Sequence, residues 1–386
     1  MKALRIIFVC LISLVPAIYG QEGMSSGGNL SLSASNMTGL VIKTPQNIHC
    51  EIELCTHSDD IINAEYRVWA DAGSADRENR FINLIEVTLD FESAVSKNAE
   101  LEVLAPTRAP WEGSNYSIGV DLKIMMPKNY YIESRTSYSN IDLVGPFSGV
   151  NIDDEYGSIT VENVRGNSVI KTSYSSIDLS NIEGSITVEA SYSEINARDI
   201  IIKNSPAIFT TSYGALNLED ITGSVEAVTD YGNIKVSNIH APTGSVILRT
   251  NYGQIEADDV DGELVCETSF EPIILGNIEL THGISKFDTK HAPIDAEILR
   301  MNDSQLIINN TYSHINLNLP SEISAKLLLA VDEGGTIHTR DLSIKPLVLK
   351  RNRLVGLVGD GLAKIEINVD GIGEINISGP SGNSNQ

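Results

Sequence analysis

Between about residues 130 and 320 the chain alternates apolar and polar positions with period two, in short runs that recur every 18 or 21 residues. The register is marked by a file of rings. Tyr138, Tyr156, Tyr174, Tyr192, Tyr213, Tyr231, Tyr252, Phe270, His291 and Tyr312 follow one another at steps of 18, 18, 18, 21, 18, 21, 18, 21 and 21 residues. Several sit in the same triplet context, as in Thr172-Ser173-Tyr174, Thr211-Ser212-Tyr213 and Thr250-Asn251-Tyr252. Counting from each ring, an aliphatic residue comes at +3 and a second apolar or small one at +5, as in Ile177 and Leu179 or Leu216 and Leu218. A third sits at +8 (Ile182, Ile221, Ile239, Val260, Ile278), often followed by Gly at +10 and apolar residues at +12 and +14, as in Gly184, Ile186 and Val188. In the longer units three extra residues enter after +8, as in His240-Ala241-Pro242-Thr243-Gly244, so the insertions share one corner.

Period-two alternation twice per unit predicts two half-buried strands, with Gly, Asn, Asp and Ser at the turns between them. No segment of the repeat carries a capped 3.6 period, which excludes helical repeats. The prediction is an all-β protein, a parallel β-solenoid with coils of 18–21 residues, each stacked about 4.8 Å above the last. Ten ring-headed units would then extend roughly 50 Å. Right-handed winding is expected for parallel crossovers. Equivalent Ile and Leu residues should form ladders along the axis, and Cys266, at +14 after Tyr252, belongs in one of them as a buried thiol.

A solenoid exposes unpaired strand edges at its ends, so both need covering. Residues 21–130 read as a β-rich N-terminal cap without the 18-residue register. Strand-like runs occur at Ile48–Cys55, Ile61–Ala70, Phe81–Phe91, Glu100–Leu104 and Tyr116–Met126, and the expectation there is antiparallel structure. The repeat domain with its C-terminal cap spans 131–378, with further strands at Val348–Val358 and Lys364–Ile377. Residues 379–386 contain no large apolar residue and read as a disordered tail.

Composition narrows the function. There are 27 Lys and Arg against 51 Asp and Glu, a formal charge of -24, which argues against nucleic acid as a partner. Lys2 and Arg5 precede an apolar run from Ile6 to Val15 and then small residues up to Gly20, the order of a secretory signal peptide. Cleavage after Gly20 would take the charge to -26, and no later run is long enough to span a bilayer as a helix. The expectation is an exported chain, periplasmic, at the outer surface or secreted. Three cysteines then remain, too few for a disulfide scaffold. Neither CxxC nor HExxH occurs, so no metal site and no cofactor is expected.

Further motifs carry a family resemblance. Val120-Asp121-Leu122-Lys123-Ile124-Met125-Met126-Pro127, then Tyr131-Ile132-Glu133, then repeated T-S-Y-G-x-I/L turns resemble the "putative adhesin" family of bacterial β-solenoid domains of unknown function. The closing pattern is similar too: Leu319-Pro320, Gly334-Gly335-Thr336-Ile337, Gly359-Asp360-Gly361 and Ile365–Ile377. The likeness covers roughly residues 40–378, with Tyr where that family commonly has Asn in the turn. It implies an exported, non-enzymatic bacterial protein and transfers no binding residue.

The candidate binding residues are the rings themselves: Tyr138, Tyr156, Tyr174, Tyr192, Tyr213, Tyr231, Tyr252, Phe270 and Tyr312, a file that a surface glycan or a protein ligand could use. The alternative is that stacked rings only stiffen a corner. The acidic runs Asp153-Asp154-Glu155 and Asp258-Asp259-Val260-Asp261-Gly262-Glu263 could attract Ca²⁺ but match no calcium loop, and solvated surface acid explains them. Three functions stay open: an adhesin-like interaction module, a carbohydrate-active β-helix enzyme such as a polysaccharide lyase or hydrolase, and a structural envelope rod. The enzyme reading needs convergent carboxylates beside a cation, and Arg165, Arg198, Lys235 and Arg249 fall at different repeat positions. His240 and His282 occupy corresponding insertion corners and would matter only with carboxylates beside them.

Overall fold

A computed structural model describes residues 23–92, 96–332 and 334–380, so the leader read at 1–20 and residues 381–386 lie outside the described residues. The chain is a β-solenoid whose coils each give one strand to each of two parallel ladders. On the first ladder the +3 residues Ile159, Ile177, Ile195, Leu216, Ile234, Ile255, Ile273, Ile294 and Ile315 pair in register from coil to coil. On the second, Ile170, Val188, Phe209, Ala227, Leu248, Cys266, Phe287 and Ile308 do the same. All of these side chains are buried. On the second ladder bulk alternates: Phe209 lies between Val188 and Ala227, and Phe287 follows Cys266. The small neighbours make room for each ring at close-packed density. That is the role of Cys266, whose thiol burial pushes well above its ordinary range.

Two corners join the ladders. One carries the rings. At the other the residue at +7 takes the left-handed conformation: Asn163, Asn181, Asp199, Asp220, Asn238, Asp259 and Asn277 all have φ between 51° and 63°. Asn and Asp tolerate that region because their short polar side chains bond locally. Some also bond along the axis, Asn181 to Asn163 and Asn238 to Asp220.

The ends differ from the expectation. At the N-terminal end the strands are β1 (Met24–Ser33), β2 (Gly39–Lys43), β3 (His49–His57), β4 (Ile61–Asp71), β5 (Glu86–Phe91), β6 (Asn98–Leu104), β7 (Ser117–Pro127), β8 (Tyr131–Arg135) and β9 (Ser139–Asp153). This region is mixed, not antiparallel. β2 lies parallel between β6 and β8, and β3 lies parallel between β7 and β9. Residues 39–57 therefore form a coil inserted between two coils that are later in sequence. The antiparallel pairs β5–β6, β4–β7 and β1–β4 close the end outside them.

The other end repeats the device. Strands Ala363–Val369 and Glu374–Ser378 form a coil between the coil of Gln305–Asn310 and Ile315–Asn318 and that of Ala325–Val331 and Thr336–Arg340. The run expected as one strand at Val348–Val358 is instead two, Ile344–Lys350 and Arg353–Val358, in an antiparallel hairpin that covers Ala325–Val331. The described part of the segment read as a tail begins with Gly379, whose N–H donates to the Arg340 carbonyl at 2.9 Å.

Among the described residues one helix interrupts the β structure. Phe81 and Ile82, read as strand, lie on α1 (Ala75–Ile82), whose first turn holds Asp76 and Glu78 and whose last turn holds Arg80, as the helix dipole favours. Phe81 packs against Trp111 and Tyr116, with ring centroids at 5.5 and 5.8 Å. Glu78 accepts hydrogen bonds from the N–H groups of Ala72 and Met24, at 3.2 and 3.3 Å, tying the helix to the N-terminal strands.

Candidate functional site

The ring corner is built from its turn outward. The Thr found two residues before most of the rings is buried, and at Thr211, Thr229 and Thr250 its hydroxyl does two jobs. Thr229 Oγ1 donates to the Gly214 carbonyl one coil below at 3.2 Å and accepts the Gly232 N–H at 3.2 Å. Thr250 repeats this with Gly232 and Gly253. Where Gly follows the ring, at Gly157, Gly214, Gly232 and Gly253, the coil below comes close: a Cβ on Gly232 would stand 1.8 Å from the Gly214 carbonyl oxygen. The ring's own N–H then donates to the coil below: Tyr192 to Ser173, Tyr213 to Ser191 and Tyr252 to Asp230, at 2.8, 2.9 and 2.9 Å. Backbone bonds at the ring or its neighbour thus set each ring over its predecessor.

The result is a continuous stack. From Tyr138 through Tyr156, Tyr174, Tyr192, Tyr213, Tyr231 and Tyr252 to Phe270, successive centroids are 4.7–5.0 Å apart and the planes tilt by 1–6°. His291 and Tyr312 continue it at 5.1 and 5.5 Å. The file is open to solvent: Tyr174 is 51% exposed and Tyr312 62%. Because the ring faces cover one another, solvent meets ring edges and, at every coil but those of Phe270 and His291, a phenol hydroxyl. The Tyr156 hydroxyl has its pKa raised by partial burial first, and then by Glu155 and the flanking Tyr138 and Tyr174.

Three coils break the Thr rule, with Asp154, Ala190 and Asn310 in its place. Asp154, two residues before Tyr156, is the one acid among them, and it is buried. Its Oδ1 accepts from Thr136 Oγ1 at 2.5 Å, while Oδ2 has no hydrogen-bond partner. Burial pushes its pKa up to about 6, against the lowering effect of the Thr136 bond. A carboxyl whose folded pKa is raised favours folding below its unfolded pKa and opposes it as pH climbs through the folded value. Asp154→Thr is therefore expected to stabilise the protein by about 1–3 kcal/mol at pH 8 and by little at pH 4. Urea unfolding at both values checks this, and an equal gain at both would refute it.

The other candidates disperse. Asp258 accepts from Asn277 Nδ2 at 3.0 Å, Asp259 turns the left-handed corner, and Asp261 pairs with His240 Nδ1 at 2.6 Å and accepts the Ala241 N–H. The acidic run therefore splits into separate structural roles, and among the described residues no group of three or more His, Cys, Asp or Glu could hold a metal ion. His240 does gain a carboxylate neighbour; His282 instead contacts Thr281 Oγ1 at 3.1 Å. Cys50 is buried, its thiol pushed up to about 12 mainly by desolvation. Cavities of about 570 and 580 Å³ occur near the two ends. The first is lined by Asn47, Pro106, Trp111 and Glu112, the second by Glu297, Leu319, Arg340 and Asp341. In the second, Arg340 and Asp341 form a solvated pair, their side chains 78% and 48% exposed. No helix among the described residues is long and apolar enough to cross a membrane.

Sequence reasoning found the rings but missed the left-handed file and the odd Asp154. Both were legible, as Asn or Asp recurring at +7 and as the acid standing in a Thr position.

No family model matches the chain, and no curated protein matches it. Two solved structures are similar along most of their length. One is described as a "putative cell adhesion protein" from Clostridium sporogenes, at 12% identity, covering 92% of this chain and 100% of that one with a TM-score of 0.20. The other is a "putative adhesin" from Parabacteroides distasonis, at 12% identity, 92% and 97% coverage and a TM-score of 0.20.

Proposed function

We propose that this protein is an exported, non-enzymatic, adhesin-like module of the cell envelope that binds a surface glycan or protein along its aromatic file. The exposure of the stacked rings carries the reading. The turns are already fixed by backbone bonds to the coil below, with a bonded Thr hydroxyl or a close-packed Gly added at several of them, so a purely structural corner needs no aromatic residue at its tip. Rings held half in water bury little area for the fold, whereas an ordered exposed apolar strip with hydrogen-bonding hydroxyls suits recognition. Since the faces are stacked on each other, a ligand would lie along the axis and meet edges and hydroxyls repeating about every 4.8 Å.

The triple variant Tyr174→Ala, Tyr213→Ala, Tyr252→Ala tests this on a glycan array and on intact cells. Binding is expected to fall at least about tenfold, more than 1.4 kcal/mol, with the β circular-dichroism spectrum retained. Equal binding by variant and parent would sink the reading and leave the structural rod. A carbohydrate-active enzyme would have to use the cleft lined by Glu297, Arg340 and Asp341. Polysaccharide cleavage lost in Glu297→Gln, Asp341→Asn would favour it.

A further inference from the structure

The hairpin of Ile344–Lys350 and Arg353–Val358 differs in character from the rest of the molecule. Residues 340–353 hold Arg340, Lys345, Lys350, Arg351 and Arg353 against one acid, Asp341, in a chain whose formal charge is -24. Arg340 pairs with Asp341. Among the described residues Lys345, Lys350, Arg351 and Arg353 have no ion-pair partner. Between these cations the apolar side chains face water: Leu347 is 65% exposed and Leu349 71%, and Leu362 at the hairpin's base is 67% exposed. Every residue from Lys345 to Lys350 is exposed, so this strand projects on both faces instead of lying on the core.

Protection of a sheet edge explains part of this. Lys345, Pro346 and the irregular register between Pro346 and Val348 all make the outer strand a poor template for another strand. They do not explain Leu347 and Leu349, which a protective edge would replace with polar residues. Unpaired cations flanking exposed leucines are instead the composition of a segment that sits at a lipid interface, with the leucines entering the acyl boundary and the charged heads reaching phosphates.

We propose that this hairpin docks the C-terminal end of the rod onto an anionic lipid surface. The acidic remainder of the chain is repelled by the same surface, so contact is confined to this end. The rest of the rod, with its aromatic file, stands away from the bilayer. This inference does not depend on what the rings bind.

Co-sedimentation of the full chain with phosphatidylcholine vesicles, with and without ~30% phosphatidylglycerol, tests it at low and high salt. Binding is expected only to the anionic vesicles, falling about tenfold or more between 0.1 and 0.5 M salt. Lys345→Glu, Lys350→Glu, Arg353→Glu should abolish it. Leu347→Ser, Leu349→Ser should weaken vesicle binding at least about fivefold while leaving retention on a soluble polyanion unchanged. Both sets lie on exposed positions, and an unchanged urea midpoint confirms folding. The proposal is overturned if both vesicles bind alike, if either variant binds like the parent, or if the charge variant merely abolishes self-association in the absence of vesicle binding.

Discussion

A chain ending after Gly361 will not hold its C-terminal coils together. The truncation removes Ala363–Val369 and Glu374–Ser378, and with them the buried side chains of Ile365, Ile367, Val369, Ile375 and Ile377. At about 1.5–3 kcal/mol for each large aliphatic, the loss is roughly 7–15 kcal/mol, as large as the whole stability of a typical domain. In a solenoid with terminal coils in chain order, the same cut would strip only an outer coil. Here it empties the space between Gln305–Asn310 and Ala325–Val331, leaving both with unpaired edges. Hydrogen exchange should show the amides around Ile308 and Leu329 losing protection while those around Ile177 and Ile195 keep it, because each coil couples only to its neighbours. A truncated protein that unfolds at the parent's urea midpoint would refute the inserted coil.

Phe209→Ala should be among the most costly single substitutions in the repeat, at about 3–5 kcal/mol. The ring is fully buried between Val188 and Ala227, where strand pairing fixes the spacing of its neighbours and limits collapse into the cavity. The alternation of bulk makes a further demand: Ala227→Leu alone should destabilise by overpacking, yet in the Phe209→Ala background it should recover part of the loss. Urea denaturation of the two single variants and the double variant measures this coupling. Strictly additive effects would mean that the two positions do not share one space.

The core of the repeat could be read from sequence because it is local and periodic. The +3 and +5 residues point inward in every unit, and the +12 and +14 residues do so in the 18-residue units; in the longer units the second pair is displaced by three, as Ala207 and Phe209, because the insertion enters at a corner without disturbing either ladder. The inserted coils carried no such mark. Leu40, Ile42, Ile52 and Leu54 alternate as any strand would, and nothing in that alternation says that Ile52 pairs with Ile141 instead of a nearer neighbour. α1 was hidden for a different reason: at eight residues it is too short to show a period, and Phe81 and Ile82 abut the next strand. At the ring corner, sequence gave position but not orientation. The direction of the rings is set by hydrogen bonds from the turn backbone to the coil below, and spacing alone does not contain them.

The two inserted coils also bear on the order in which the molecule can be completed as the chain emerges, amino end first. Strands β2 and β3 are made early but must wait for β6 to β9 before they have neighbours on both sides. The last coils stay open until Ser378 has appeared. The middle of the rod can wind coil by coil as it is delivered, while each end is sealed by a segment distant in sequence, so closure at both ends is a late, long-range event. A chain with this topology remains unlocked at the C-terminal end of the rod until residues 363–378 have been delivered.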